Sequence, residues 1–458
     1  MKRFFSLFFL LLFSFVLFAE TNVYKISMFG NEIGKSTETW EEKKNHDGSC
    51  EVKLHSVSEM TIVRGGDSMS LFSDTTLSAD CRTFEPKYIQ GISSEGGSKT
   101  FVEGINKNGV FMTKITKNGN SEVSSFSPSR NAVFFGMIFK KLSDRELIKG
   151  GKISIISEES LAESEISYSA SKNADGTVSA TIVFQEIPIK YAVSNKKVLY
   201  SEVQNGVIIY RLESLPETKN VQTRGNADVL QNTNLFKEGG ITIKHPRKTK
   251  KTVFHIESAD FASIPETCFQ KKGKGTIAVT SNGRNCNKLP EASDSQPNII
   301  EDSNNPEIVR VAQKIVSGSS NQGEMVKRIA EFVHNYIHHD YSRGVMSASE
   351  ILRLKRGGST AFVTLFAALA RASGIPTKIV FGIALDNNGE FFVYTWNEVF
   401  ADRSWVTVDP SQNMIPSDAS RITLGYQGAD SKSRDSAITL MKFLNTTKIF
   451  VRGFSNEE

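Results

Sequence analysis

The sequence predicts an α+β protein, with antiparallel β structure over most of its length and a last domain that opens with helices and closes with strands. Three observations predict it. Residues 20–215 carry short strand-like runs separated by clusters of Gly, Asn and Asp. From Pro306 the apolar residues recur at helical spacing: Ile308, Val311, Ala312 and Ile315, then Val326, Ile329, Ala330, Val333, Tyr336 and Ile337. Residues 361–372 are then apolar nearly all round, which marks a helix buried at the centre of a domain.

In chain order, Lys2 and Arg3 precede a run rich in Phe and Leu that ends at Phe18, Ala19 and Glu20. Such a start reads as a secretory signal peptide over residues 1–19, with cleavage after Ala19. The expected location is therefore outside the cytoplasm, periplasmic or secreted. An uncleaved signal segment would be the chain's route to a membrane. The formal charge of +5 falls to 5 − 2 = +3 once Lys2 and Arg3 are removed, too balanced to imply nucleic acid. With 458 residues and 39% hydrophobic content, two or three folded domains are expected.

Residues 20–215 read as an N-terminal antiparallel β domain. Strands are predicted at 51–63, 68–77, 99–105, 109–116, 153–156, 179–185, 198–203 and 207–213, in a meander curved or closed to protect its edges. Residues 131–142, rich in Val, Phe, Met and Ile, are predicted as a helix covering that sheet. Residues 216–290 form a second β region with strands at 241–243, 253–256 and 276–280. The basic run 244–251 within it reads as a solvated loop or strand. Residues 291–305, with Pro297 and a Ser-Asn-Asn-Pro end, read as a linker. The last domain spans 306–458, its tail carrying apolar runs at 438–444 and 448–451.

An exported chain with four cysteines invites disulfides. Of the three possible pairings, the local one, Cys50–Cys81 with Cys268–Cys286, makes each bond bracket a few strands. The cysteine spacing does not match a zinc site. His334 and His338 lie one helical turn apart, but no Glu stands in the arrangement of a zinc protease, and no metal or cofactor is expected.

The chemistry-bearing stretch runs from Lys355 to Asn413. Arg356-Gly357-Gly358-Ser359-Thr360 leads into the apolar helix, where two glycines allow a tight turn and close approach of a ligand. Gly374 and Pro376 end that helix. Strands are predicted at 377–383, 391–400 and 404–408, the first two joined by the Asp-Asn-Asn-Gly turn at 386–389. The stretch closes on Val408-Asp409-Pro410-Ser411.

In order, Gly-Gly-Ser-Thr, Leu-Ala-Arg-Ala-Ser-Gly-Ile-Pro, Tyr-Thr-Trp-Asn-Glu-Val-Phe and Trp-Val-Thr-Val-Asp-Pro-Ser resemble the transglutaminase-like superfamily across about residues 306–413. The resemblance implies a papain-like core, in which a nucleophilic Cys begins the central helix while a His and an Asp lie on the following strands. Residue by residue, it places Ser359 at the Cys position, Tyr394 at the His position and Asp409 at the Asp position. Gly357, Gly358 and Trp396 are the matching cleft positions, although Trp396 and Trp405 also read as core. A helix start and a nearby His stabilise a thiolate. A serine hydroxyl gains far less and needs a true base, and a phenol with a pKa near 10 is a poor one at neutral pH.

The expected function is thus an exported, non-catalytic transglutaminase-like protein that holds a peptide or a cell-envelope polymer in its cleft. The enzyme alternative is an amide hydrolase or acyl transferase working through Ser359. A third expectation has the β domain carry an apolar ligand, with the last domain as accessory.

Overall fold

The computed structural model describes residues 15–456 apart from 29, 45–47, 65–66, 118, 185–186, 204–207, 215–235, 259–260, 284–285, 287, 388 and 428–446. Most of the predicted signal segment and the predicted run at 438–444 lie outside the described residues. The first strand, Phe15–Met28, takes in the last residues of that segment, and Glu20 is ion-paired to Lys140 at 2.9 Å and to Lys197 at 3.4 Å.

The N-terminal half forms one sheet of 15 strands. Phe15–Met28 lies inside it and joins two meanders. On one side the strands step in chain order out to Asn120–Phe126; on the other, Ile208–Leu212 pairs with Phe15–Met28 and the strands step back to Val133–Phe134. Every pairing is antiparallel except the last, between Val133–Phe134 and Gly151–Ile156. The sequence reason is the two-residue alternation. In Ser98–Lys107, Val102 and Gly104 face inward between exposed Phe101, Glu103 and Ile105; in Val110–Lys117, Phe111 and Thr113 do the same.

The segment predicted as a helix at 131–142 is instead a two-residue strand (Val133–Phe134), a 3-10 turn (Phe135–Met137) and a short α-helix (Ile138–Lys141). The apolar residues are buried as expected. Phe134 and Met137 pack among Trp40, Leu54, Leu77, Ile89 and Phe111, while Val133, Ile138 and Phe139 pack among Ile166, Ala180 and Val193. Two cores on two sides require a chain that turns, which one straight helical stripe cannot serve.

The second sheet has nine strands and crosses the expected domain boundary. Its order runs Gln270–Lys272, Thr276–Thr280, Lys251–Glu257, Lys448–Ser455, Phe236–Gly240, Glu390–Ala401, Thr377–Leu385 and Arg421–Gln427, with Ser404–Val408 also paired to Glu390–Ala401. The strands of region 216–290 therefore belong to the same sheet as those of the last domain. Their apolar faces explain the union: Phe254, Ile256, Ile277 and Val279 bury against Ile383, Leu385, Phe391 and Leu424.

A helical layer covers the other part of this sheet. Asn305 accepts the Glu307 amide at 3.0 Å and starts the helix Pro306–Val316, with proline at its first turn. Asn321 and Ser347 cap Gln322–Tyr336 and Ala348–Leu354 in the same way. These three helices enclose the central helix Ser359–Ala372, whose Phe362, Leu365, Phe366, Ala368 and Leu369 are fully or nearly fully buried. Its last turn is tied by Arg371, which donates twice to the Thr377 carbonyl and forms an ion pair with buried Glu301 at 3.4 Å. Glu301 brings the expected linker with it. Glu301, Asp302 and Ser303 are buried, and Asp302 accepts the Ser349 amide at 3.0 Å, so 291–305 is packed against the helices.

Both disulfides form as expected from the local pairing, Cys50–Cys81 and Cys268–Cys286, and no described cysteine is free. They close spans of 31 and 18 residues. Cys50–Cys81 joins the start of one strand of the first sheet to the turn after the next, and Cys268–Cys286 joins the segments that flank Gln270–Lys272 and Thr276–Thr280 of the second. Replacing either pair with alanines is expected to lower unfolding free energy by roughly 2–4 kcal/mol. Urea unfolding of each double variant measures it, and a loss below the scatter of the wild type for both would refute a structural role.

Candidate functional site

The central helix begins at Ser359, directly after two glycines. Gly357 has no room for a side chain: a Cβ there would meet the Ala361 Cβ at 2.3 Å and the Met346 Cε at 3.1 Å. A Cβ at Gly358 would meet the Tyr341 ring at 3.3 Å. His338–His339 runs parallel to Arg356–Gly357 and holds this entry, with the Asp340 amide donating to the Gly357 carbonyl at 3.0 Å. The His339 ring packs 4.7 Å from Phe362, on the first turn of the helix. Burial, then the nearby His334, holds the His339 pKa below its usual value. Among the described residues no group hydrogen-bonds the half-buried Ser359 hydroxyl.

On the strand Glu390–Ala401 the side chains alternate. Val399 packs in the helical core, and Asn397 donates its amide to the Val363 carbonyl of the central helix at 3.2 Å. Tyr394, Trp396 and Glu398 take the opposite parity, and Tyr394 and Trp396 pack with Val380 and Ala384. The Trp396 ring is 3% exposed, so it is core and offers little surface to a ligand.

Tyr394 and Asp409 meet. The Tyr394 hydroxyl donates to Asp409 Oδ2 at 3.1 Å and lies 2.6 Å from the Ser411 Oγ. Asp409 is fully buried at the end of Ser404–Val408, and its Oδ1 also accepts the Ser411 hydroxyl at 2.8 Å and the Ser411 amide at 3.0 Å. The Ser411 carbonyl in turn lies 3.1 Å from His334 Nδ1. Burial, then the Asp409 charge, pushes the Tyr394 phenol up to about 12, against the opposing pull of Arg421.

Arg421 is the residue that sequence reasoning missed. It is 2% exposed. Its Nη1 forms an ion pair with Asp409 Oδ2 at 2.8 Å, and its Nε and Nη2 donate to Asp418 Oδ2 at 3.1 and 2.8 Å. Its guanidinium carbon sits 5.1 Å from the centre of the Tyr394 ring and 5.8 Å from that of Trp396. Arg247 reaches Asp418 Oδ2 as well, at 3.1 Å. Burial would raise the Asp418 carboxyl, but Arg421 and Arg247 outweigh it and hold it down to about 2. Burial would likewise lower the Arg421 pKa, and Asp418 and Asp409 raise it instead. The sequence carried one faint signal of this, a charge placed between Ser420 and the apolar Ile422 at a strand start.

Glu398, on the same strand face as Tyr394, accepts the Tyr426 hydroxyl at 3.1 Å and is 2% exposed. Burial pushes its carboxyl up to about 7. Among the described residues one cluster brings three metal-ligating side chains together, Glu42 with Cys50 and Cys81, and those two cysteines are already joined in a disulfide.

Residues 309–410 match the family model of the transglutaminase-like superfamily. This segment is a transglutaminase-like core. It carries the central helix, Tyr394 and Asp409 but ends before Arg421. Comparison with curated proteins finds no match. Three solved structures show partial likeness. One, titled as a candidate cysteine protease from Cytophaga hutchinsonii, is 14% identical, covers 46% of this chain and 85% of its own, and has a TM-score of 0.28. A β-barrel-like protein of unknown function from Brucella abortus is 8% identical, with 42% and 94% covered and a TM-score of 0.29. A candidate protease from Parabacteroides distasonis is 9% identical, with 69% and 67% covered and a TM-score of 0.19.

Two outcomes follow for the transglutaminase-like domain. Arg421→Met strands the buried Asp409 charge and should cost about 3–5 kcal/mol of unfolding free energy. A loss under about 1 kcal/mol in urea titration, the size of an exposed pair, would show that Arg421 is not the keystone. Glu398 gives a pH signature. Its folded pKa, about 7, lies above the ordinary 4.5, so the folded state keeps a proton that the unfolded chain releases. Its contribution is complete below the unfolded value and is lost as pH rises through the folded one. Glu398→Gln should remove a decline of up to about 3 kcal/mol across that window. Parallel stability profiles for wild type and variant would contradict it.

Proposed function

We propose that the protein is exported and that its transglutaminase-like domain binds a peptide or a cell-envelope polymer without cleaving it. The observation that carries this reading is the state of the Tyr394 hydroxyl. It stands at the position matching the family's His, its proton is committed to Asp409 with the Ser411 hydroxyl 2.6 Å away, and its pKa is pushed up to about 12. A general base contributes typically 10²–10⁴-fold, roughly 3–5 kcal/mol of barrier, and only in its deprotonated form. Tyr394 at neutral pH has no such form to offer. Asp409, which would orient a His in an active relative, is answered by Arg421 at 2.8 Å.

Binding can survive the loss of chemistry. The central helix is 14 residues long, and its first amides follow two glycines, Gly357 buried and Gly358 half-buried. The start of such a helix favours an anion or a polarised carbonyl oxygen, which is what a peptide or an acylated polymer presents. Export is supported by Lys2, Arg3 and the apolar run after them, and by two disulfides, which persist in oxidising compartments. Among the described residues, no helix is long and apolar enough to cross a membrane.

A second reading has one observation behind it. His339 packs on the first turn of the central helix with a lowered pKa, so its imidazole is neutral at pH 7 and could serve Ser359 as a base in amide hydrolysis or acyl transfer. Amide hydrolysis and amine incorporation should be measured on wild type, Ser359→Ala and His339→Ala, alongside binding of labelled peptides. The expected result is no turnover in any of the three and binding retained in Ser359→Ala. Turnover in wild type that vanishes in both variants would replace the binding reading with the enzyme.

A further inference from the structure

The outer face of the second sheet gathers cations from three distant parts of the chain. On the inner side Phe254, Ile256, Ile277, Val279, Ile449 and Val451 are buried. Side chains alternate along a strand, so the residues between these point outward. The register sets Lys251 opposite Thr280 and Ser455, His255 opposite Thr276 and Phe450, Glu257 opposite Lys448, and Lys271 opposite Ala278. Lys251, Lys271 and Lys448 thus share one face. Arg452 joins them, its guanidinium carbon 5.6 Å from the centre of the Phe450 ring. Lys244, Lys248 and Lys274 stand on the adjoining turns.

All seven cations are exposed, and among the described residues none has a carboxylate within ion-pair distance. The one carboxylate on these four strands, Glu257, lies 3.7 Å from His255. Nearby, Glu266 accepts the Lys272 amide at 2.9 Å, and Asp418 is taken by Arg247 and Arg421. On the first sheet, by contrast, Lys35, Lys152 and Lys190 stand beside Glu213, Glu165 and Glu202 at 3.0, 2.6 and 3.3 Å. Protection of a sheet edge accounts for part of the charge only. Lysine on an edge strand blocks pairing with another chain, and Gln270–Lys272 is the edge of this sheet. Lys251–Glu257 and Lys448–Ser455 are interior strands, paired on both sides, and need no such guard.

We propose that this face docks on the surface of an anionic phospholipid bilayer. Lipid phosphates supply the negative charge that the seven cations lack within the chain. Lys271 and Lys448 stand on the first and fourth of four adjacent strands, a lateral separation of roughly 14 Å. No single phosphate spans that distance, so the partner is an extended anionic array. The middle of the face favours a bilayer over a soluble polymer. Val253, Ala278 and Phe450 lie there half-buried, with the cations around them. An apolar centre with a basic rim fits the boundary between headgroups and acyl chains, where phenylalanine is buried while lysine stays with the phosphates. A soluble polyanion would answer the lysines and leave Phe450 in water. The docking face is separate from the cleft at Ser359 and does not depend on what that cleft binds.

Flotation of the whole chain with vesicles tests this. It should bind vesicles of mixed phosphatidylglycerol and phosphatidylcholine, and come off in about 1 M salt, where the screening length falls to about 3 Å. Pure phosphatidylcholine should hold it far less. Lys251→Gln, Lys271→Gln and Lys448→Gln together should weaken binding at least about thirtyfold at low salt, since each lysine at an anionic surface contributes roughly a factor of five. Lys107→Gln, Lys114→Gln and Lys149→Gln make the same change of charge at exposed positions of the N-terminal half. That variant should lose less than about threefold, the charges lying beyond the screening length of the docked face. All six positions are exposed, so both variants should keep the circular dichroism of the wild type. Phe450→Ala should weaken binding to vesicles and leave binding to soluble polyphosphate unchanged. Equal binding to both kinds of vesicle, equal losses in the two triple variants, or tighter binding to polyphosphate than to vesicles at the same phosphate concentration would each overturn the proposal.

Discussion

The pairing of Arg421 with Asp409 and Asp418 decides the state of everything around it. Three formal charges sit at under 6% exposure, each of which loses hydration worth several kcal/mol when buried. They persist because they satisfy one another: two bonds from Arg421 to Asp418, one ion pair to Asp409, and Arg247 on Asp418 from the 3-10 turn Pro246–Lys248. The cluster joins three parts of the chain, the strand Arg421–Gln427, the turn after Asp409 and the approach to Lys251–Glu257. It also fixes Tyr394, whose ring lies under the guanidinium and whose hydroxyl is held by Asp409. The charge that answers Asp409 is the permanent one of Arg421.

The N-terminal sheet reaches the candidate site through a contact of backbones. Asp67 accepts the Tyr341 amide at 2.9 Å. Gly96 and Gly344 leave no space for side chains: a Cβ on the first would meet the Ser342 carbonyl oxygen at 2.2 Å, and one on the second would meet the Glu95 carbonyl oxygen at 2.3 Å. Gly96 also holds a positive φ of 54°, which glycine adopts without strain. The segment clasped in this way ends in Tyr341, against which Gly358 packs immediately before Ser359. The two halves of the chain therefore meet beside Gly358, at the start of the central helix.

Much of this was legible in the sequence where local physics decides. The apolar girdle of residues 361–370 could only be a buried helix, and Gly374 and Pro376 could only end it. The turn at 386–389 fixed a hairpin, and alternation fixed the long strands. The bonds Cys50–Cys81 and Cys268–Cys286 followed from which cysteines bracket the same strands. What was not legible depends on distant partners. Nothing in Thr276–Thr280 says that its sheet continues into Thr377–Leu385, because strand pairing leaves no mark on either strand alone. Glu301 reads as a polar linker residue until Arg371 is seen beside it. The run at 131–142 has helical composition, but Val133 and Phe134 find an edge strand to pair with and Met137 a second core. The resemblance led to Tyr394 and Asp409, which meet. But Tyr394 takes the strand parity opposite to Asn397 and Val399, which pack on the central helix, and among the described residues no hydrogen bond joins Tyr394 or Asp409 to Ser359. The resemblance gave no sign of Arg421, which lies past the matched segment and makes its contacts across the sheet.

The elements that build the framework do not rely on the residue at position 359. The central helix is held by apolar burial on every side, by Asn397 at its second turn and by Arg371 with Glu301 at its end. A thiolate at the helix start would add charge to the N-terminal dipole, an effect of about 0.3–1 kcal/mol at an exposed site. That is small beside the burial of a single phenylalanine such as Phe362 or Phe366, worth roughly 1.5–3 kcal/mol. Serine at 359 thus forfeits little stability, and the scaffold imposes almost no constraint on that position. The Tyr394 position is different. It is buried, and a polar group there must be satisfied on all sides. A phenol satisfies Asp409 with one hydrogen and fills the volume beneath Arg421 with an aromatic face that suits a cation. A protonated imidazole in the same place would set a second positive charge against the guanidinium. The charge of Arg421 and the choice of tyrosine at 394 therefore select for each other, and reverting either one alone would leave the buried cluster worse satisfied than it is.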